Sequence, residues 1–244
     1  MLKRIYEKNK IVFAVLWIAI YCVLMSLGDA LSEVFGVKKS VTLAVALLLS
    51  AVLIFFLKKN GLFSSYGITR PHATAKSMLY YLPVIAMLTA NFWCGATLKH
   101  GISETVLHIL TMLLVGFLEE VIFRGLLFEA MRKDSPVAAV IVSSITFGFG
   151  HIINLVNGSG AELVPNLLQI VYATAAGFMF VMIYLKSKSL VVCIASHGLF
   201  NAMSAFSGES ASTLEAQILS ALLLTVITGG YAIYLAVGLK TEKM

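Results

Sequence analysis

Two adjacent carboxylates and a guanidinium stand inside an apolar stretch, Leu118-Glu119-Glu120-Val121-Ile122-Phe123-Arg124-Gly125. The surrounding run, from about Val106 to Met131, is otherwise greasy. A charge at a bilayer centre costs about 2.5–3.5 kcal/mol on insertion scales, so three together need partners or a use. Glu120 and Arg124 are four apart and share a helix face, which suits an ion pair. Glu119 lies about 100° round the helix from Glu120 and is expected to be the carboxylate left free for chemistry.

Two further segments carry groups of the same kind. Phe147-Gly148-Phe149-Gly150-His151 sits in one apolar run, and Ser196-His197-Gly198-Leu199-Phe200-Asn201 in another. At 1.5 Å of rise per residue, Glu119 lies about 20 Å from Lys133, His151 about 22 Å from Pro136 and His197 about 13 Å from Lys188. Three helices therefore hold polar groups in overlapping slabs, where buried ionisable groups can partner one another. A carboxylate, two imidazoles and an amide are the parts needed to activate water and hold a developing oxyanion. Each also has a structural reading: Glu120–Arg124 as an ion pair, and His197 with Asn201 as interhelical hydrogen-bonders. Other chemistries lack their residues. No His-Glu-x-x-His, no Gly-x-Ser-x-Gly and no second intramembrane aspartate to pair with Asp29 is present.

The elements that must position these groups are membrane spans. Of 244 residues, 59% are hydrophobic and 12% charged, and the mean hydropathy is +0.94, whereas a soluble domain is nearer half apolar and a quarter charged. The expected fold is all-α, a single polytopic membrane domain over residues 1–244, with about eight spans of roughly 20 residues. They fall at Ile11–Leu31, Val41–Leu57, Ser77–Leu98, Val106–Met131, Val137–Leu155, Pro165–Lys186, Leu190–Phe206 and Ala216–Leu239. Pro83 is expected to kink the third span. Pro136 suits the first turn of the fifth. The first span reads as retained, because no small-residue cleavage site follows it.

Alternating these spans from a cytoplasmic N-terminus leaves only Lys38, Lys39 and Lys99 in outside loops, of 18 basic residues. Arg124 is intramembrane, and the rest face the cytoplasm, as the positive-inside rule expects. Both termini are therefore read as cytoplasmic. The net charge of +6 is a membrane-topology signal, and no nucleic-acid partner is expected. Cys22, Cys94 and Cys193 show no metal spacing and read as small apolar residues. His72 and His100 are placed in solvated loops, His108 at the interface, and Glu129 toward water at the cytoplasmic end of its helix.

Glu119-Glu120-x-x-x-Arg124, Phe147-x-x-x-His151 and His197-x-x-x-Asn201 resemble the three motifs of the CAAX protease and bacteriocin-processing enzyme (Abi) family, the type II CAAX prenyl endopeptidases and their bacterial relatives. Order and spacing agree over a catalytic core of about residues 105–205. The connector Tyr66–Pro71 is also similar to bacterial members. The resemblance implies an intramembrane endopeptidase. Glu119 would activate water, His151 would help position it, and His197 and Asn201 would stabilise the oxyanion. Glu120, Arg124 and Phe147 would support them, with Arg124 near a substrate carboxylate. Glu119, His151 and His197 also have the composition of an open zinc site. They can equally act through hydrogen bonds alone, and the metal-free mechanism is the one carried forward. The expected setting is a bacterial plasma membrane, with a peptide or membrane-protein substrate. Two other classes stand beside this reading. One is a non-catalytic membrane immunity or regulatory protein. The other is a small proton-coupled transporter, disfavoured because no internal repeat is visible.

Overall fold

The structure, a computed structural model, describes residues 2–74, 76, 81–98, 101–157, 161–209 and 212–241. Among them nine helices form: α1 (Leu2–Lys8), α2 (Lys10–Val34), α3 (Ser40–Lys59), α4 (Tyr81–Thr89), α5 (Ile102–Arg132), α6 (Pro136–Gly150), α7 (Leu163–Ser187), α8 (Leu190–Met203) and α9 (Leu214–Thr241). The chain is an all-α polytopic membrane protein. Six helices are long and apolar enough to cross a bilayer: Lys10–Val34, Ser40–Lys59, Ile102–Arg132, Pro136–Leu155, Leu163–Ser187 and Leu214–Leu239. The two remaining expected spans appear as shorter apolar helices, Leu82–Phe92 and Leu190–Phe206.

The third expected span is the one whose limits change. Its start, Ser77 to Tyr80, lies outside the described residues, so the kink expected at Pro83 is not tested. Its end comes earlier than Leu98. A 3₁₀ turn closes it at Ala90–Phe92, Gly95 takes a positive φ of 93°, and Ala96 forms an isolated antiparallel bridge with Ser207. Lys99, His100 and Gly158–Gly160 also lie outside the described residues.

Local chemistry sets several helix starts. The Asn9 side chain accepts from the Val12 N–H at 3.0 Å and caps α2. Pro136 occupies the first turn of α6 after Ser135, where its missing N–H costs nothing. Ser189 caps α8 by accepting from the Val191 N–H at 3.3 Å.

Contacts sort the loops into two ends. At one end the Tyr66 hydroxyl donates to Tyr6 at 2.7 Å, the His72 N–H to the Ser187 carbonyl at 2.9 Å and the Leu190 N–H to the Gly67 carbonyl at 2.7 Å. Gly67 has φ +64°, and a Cβ there would fall 2.5 Å from the Tyr184 ring; only glycine lets the connector dock under α8. At the other end the Lys38 N–H donates to Glu104 at 3.1 Å, and the Gly208 N–H to the Gly95 carbonyl at 2.9 Å. Lys58, Lys59, Arg70, Arg132, Lys133, Lys186 and Lys188 fall at the first end, Lys38 and Lys39 at the second.

Where the site helices meet, side chains are small. A Cβ on Gly116 of α5 would lie 2.5 Å from the Gly198 Cα and N of α8, and one on Gly148 of α6 would lie 2.6 Å from the Thr174 N of α7. Backbone-to-backbone contact of this kind is how helices pack tightly in lipid, where no hydrophobic force drives them together.

Candidate active site

In α5 the backbone widens to a π-helix over Val121–Phe128, all eight residues of it buried. Such widenings recur at functional sites because they redirect side chains and free a carbonyl. Here the Ser143 hydroxyl of α6 donates to the Phe123 carbonyl at 2.9 Å. The widening begins directly after Glu120 and contains Arg124.

The expected ion pair forms inside it. Arg124 Nη1 donates to Glu120 Oε1 at 3.0 Å, both side chains fully buried. The guanidinium also lies 4.1 Å from the Phe147 ring centroid and 5.4 Å from that of Phe180. Two aromatic faces and one carboxylate surround it, and its Nε and Nη2 are buried without a hydrogen-bond partner. Arg124 lines neither cavity of the site. Phe147 and Phe180, which border the smaller of these cavities, pack over the guanidinium.

Glu120 does more than pair with Arg124. The same Oε1 lies 2.8 Å from His197 Nδ1. An imidazole whose Nδ1 is held by a carboxylate has its tautomer and ring orientation fixed. The His197 ring is stacked on Phe180 at 5.3 Å between centroids, 24° from parallel, with Phe147 edge-on at 5.5 Å. Its other nitrogen, Nε2, points to Glu119, 3.4 Å from Oε2. His197 therefore bridges the two adjacent carboxylates, which the close α5–α8 contact at Gly116 and Gly198 makes possible.

Glu119 has one of its two oxygens engaged. The Tyr21 hydroxyl of α2 donates to Glu119 Oε1 at 2.7 Å. Oε2 accepts no hydrogen bond. The helix-face argument treated α5 alone and could not see α2 packed across it.

Glu119, His151 and Asn201 line one cavity of about 370 Å³. His151 and Asn201 also border a smaller pocket of about 50 Å³ that reaches His197. The ring of His151 stands edge-on to Phe147, centroids 5.7 Å apart, and its carbonyl accepts from Asn166 Nδ2 at 2.9 Å. All four expected catalytic side chains thus gather at one place, with Phe147 between the two imidazoles. The cavity is wider than the fourth, fifth and seventh expected spans alone: Tyr21 of α2, Asn91 after α4, Gln169 of α7 and Ser220 of α9 also line it.

The donors of the expected zinc set, Glu119, His151 and His197, are only partly engaged elsewhere: Tyr21 holds Glu119 Oε1 and Glu120 braces His197 Nδ1, as a carboxylate does behind a metal-bound imidazole, while Glu119 Oε2 and His197 Nε2 face each other at 3.4 Å. Among the described residues no three His, Cys, Asp or Glu side chains are placed to hold a metal ion.

Two peripheral residues have partners that the sequence did not indicate. Glu129, near the basic end of its helix, accepts from the Tyr184 hydroxyl at 2.8 Å and pairs with the exposed Arg132 at 3.0 Å. His108 lies 2.9 Å from the Ser204 hydroxyl, part-buried between α5 and the end of α8.

Sequence reasoning missed Tyr21 and Phe180. The signal for Tyr21 was its place in the middle of an apolar span, far from the interfaces that tyrosine favours. Phe180 gave no signal, being one of 15 phenylalanines.

Residues 101–203 match the family described as Type II CAAX prenyl endopeptidase Rce1-like. The matched stretch holds all three motifs and bears out the resemblance read from them. Comparison with curated proteins finds no match.

Proposed function

We propose that this chain, Rce1-like over residues 101–203, is an intramembrane endopeptidase that hydrolyses a peptide bond with water activated by Glu119. The observation that carries the reading is the placement of Glu119 in the wall of a 370 Å³ cavity. One carboxylate oxygen is held by Tyr21 and the other accepts no hydrogen bond.

The chemistry follows from those positions. Glu119 Oε2 accepts a proton from water as its oxygen attacks the scissile carbonyl, with His151 positioning that water. Charge develops on the carbonyl oxygen, where the Asn201 amide donates to it and His197 donates from a protonated Nε2, its other proton, on Nδ1, being given to Glu120. Glu119 returns the proton to the departing amine, leaving a carboxylate and an amine. Glu120 keeps the His197 ring in place, and Arg124 holds Glu120 in position. These are hydrogen-bond roles, and no step is routed through a metal.

The setting proposed is a bacterial plasma membrane, basic helix ends in the cytoplasm, and the substrate a peptide or a membrane protein. Glu119→Ala and His151→Ala are each expected to abolish cleavage while the protein still folds and inserts. The test is purified protein in lipid nanodiscs, turning over a quenched-fluorescent peptide library. Full turnover by Glu119→Ala would overturn the mechanism. Comparative peptidomics of cells carrying wild type or Glu119→Ala would then identify what is cut.

A further inference from the structure

The helices that carry His151 and His197 are short. α6 has 15 residues and α8 has 14, about 22 Å each at 1.5 Å of rise, against a hydrocarbon core of about 30 Å. Both start at the basic end, at Pro136 beside Lys133 and at Leu190 beside Lys188. Each α-helix gives way at that depth to a 3₁₀ turn, His151–Leu155 and Ser204–Phe206, a narrower coil that carries the chain onward, Pro136–Leu155 as a whole being long enough to span. α2 and α7, at 25 residues, and the 31-residue α5 run further.

The 370 Å³ cavity lies beside these turns. Its lining runs from Glu119 out to Asp29, Lys39 and Glu209, all at the end that holds few basic residues. Glu209 is exposed, so the cavity reaches the surface. Toward the basic end the way is closed. The whole π-helical stretch Val121–Phe128 is buried, and Arg124 is packed between Phe147 and Phe180.

We propose that the site is entered from the extracytoplasmic face, and that its substrate is a polypeptide presented there. An exported peptide or the outer flank of a membrane-spanning segment meets that description; a lipid-modified C-terminus in the cytoplasm does not. The basic helix ends fix the side by the positive-inside rule. The mouth chemistry fits the class: Asn91, Asn154 and Gln169 bring amides to the cavity wall, groups that donate to and accept from an extended backbone. Lys39 is tied to Asp29 at 2.8 Å, which leaves no unpaired cation at the mouth among the described residues to select an anion. The substrate class rests on the peptidase reading; the side of entry does not.

The wild-type chain contains its own probes. Cys22 and Cys94 line the cavity, while Cys193 is fully buried. A membrane-impermeant methanethiosulfonate is applied to right-side-out and inside-out vesicles from expressing cells. Detergent-solubilised protein serves as the control for thiol reactivity. Labelling of Cys22 or Cys94 in right-side-out vesicles, and its loss in inside-out ones, is the expected result. A Lys133→Cys variant should show the reverse sidedness. Labelling only from the inside, from both sides, or from neither while the solubilised control reacts, overturns the proposal. The same vesicles given a quenched-fluorescent peptide library separate the two claims. Hydrolysis confined to right-side-out vesicles supports both. Hydrolysis confined to inside-out vesicles overturns the side and leaves the peptidase standing. Outside labelling with no hydrolysis in either orientation keeps the side of entry and sinks the peptidase reading and its substrate class together.

Discussion

Gly116 and Gly198 touch across the α5–α8 contact so closely that a Cβ on Gly116 would lie 2.5 Å from the Gly198 Cα and N. Glu119 and Glu120 lie within one turn of Gly116, and His197 adjoins Gly198. The 2.8 Å contact between Glu120 and His197 depends on that approach. Gly116→Ala meets backbone, which cannot rotate away, and is expected to cost about 1–3 kcal/mol as an overpacked contact does. Turnover should fall further than stability, since the helices part at the site. Gly230, with nothing within 4 Å of its would-be Cβ, is the control: Gly230→Ala should leave both unchanged. Thermal unfolding in detergent and peptide turnover check both variants.

Tyr21→Phe removes one hydroxyl and keeps the ring. A hydrogen bond to a charged group contributes about 1.5–3 kcal/mol, and each 1.36 kcal/mol of barrier is about tenfold in rate. Turnover should drop by roughly 10- to 100-fold with folding intact, measured as kcat beside an unfolding curve. Unchanged kcat would show that Tyr21 does not orient Glu119.

Arg124→Ala strands Glu120 in a fully buried place. Losing one partner of a buried pair costs about 3–5 kcal/mol. The variant is expected to express poorly and melt early. Arg124→Lys should recover only part of the loss, because an ammonium lacks the flat face that packs on Phe147 at 4.1 Å. Size-exclusion profiles and melting temperatures of the two variants decide this.

Asn201→Ala should behave in the opposite way. Its side chain lines both cavities. Removing one oxyanion donor costs about 100- to 1000-fold in kcat. The melting temperature should not move. A variant that instead melts early with kcat preserved would make Asn201 a helix-to-helix fastener.

The residues that gather at the site were legible because each motif is a four-residue step on a helix, and four residues is one face. Glu120–Arg124 pairs as that rule expects even though the helix widens between them. Most spans were legible from hydropathy within a few residues, since lipid demands about 20 apolar residues in a row. Contacts between helices distant in sequence were not legible. Tyr21 meets Glu119 across 98 positions, and no local pattern encodes that. The early end of the third expected span depends on Ala96 meeting Ser207, another long-range event. Hydropathy reports solvent, so it carried the span through an apolar stretch where the backbone had already turned.

The bond from Tyr21 to Glu119 also says what a minimal catalytic fragment must contain. Residues 101–203 hold every motif, yet they stop short of the hydroxyl that holds one oxygen of the proposed base. A truncation to that segment would carry the inventory without the alignment. Residues 1–98 supplied as a separate polypeptide beside residues 99–244, which keep α9 and its share of the cavity wall, are the natural complement, and restoration of turnover by the two pieces would show that α2 acts as a brace and not merely as an anchor in the lipid.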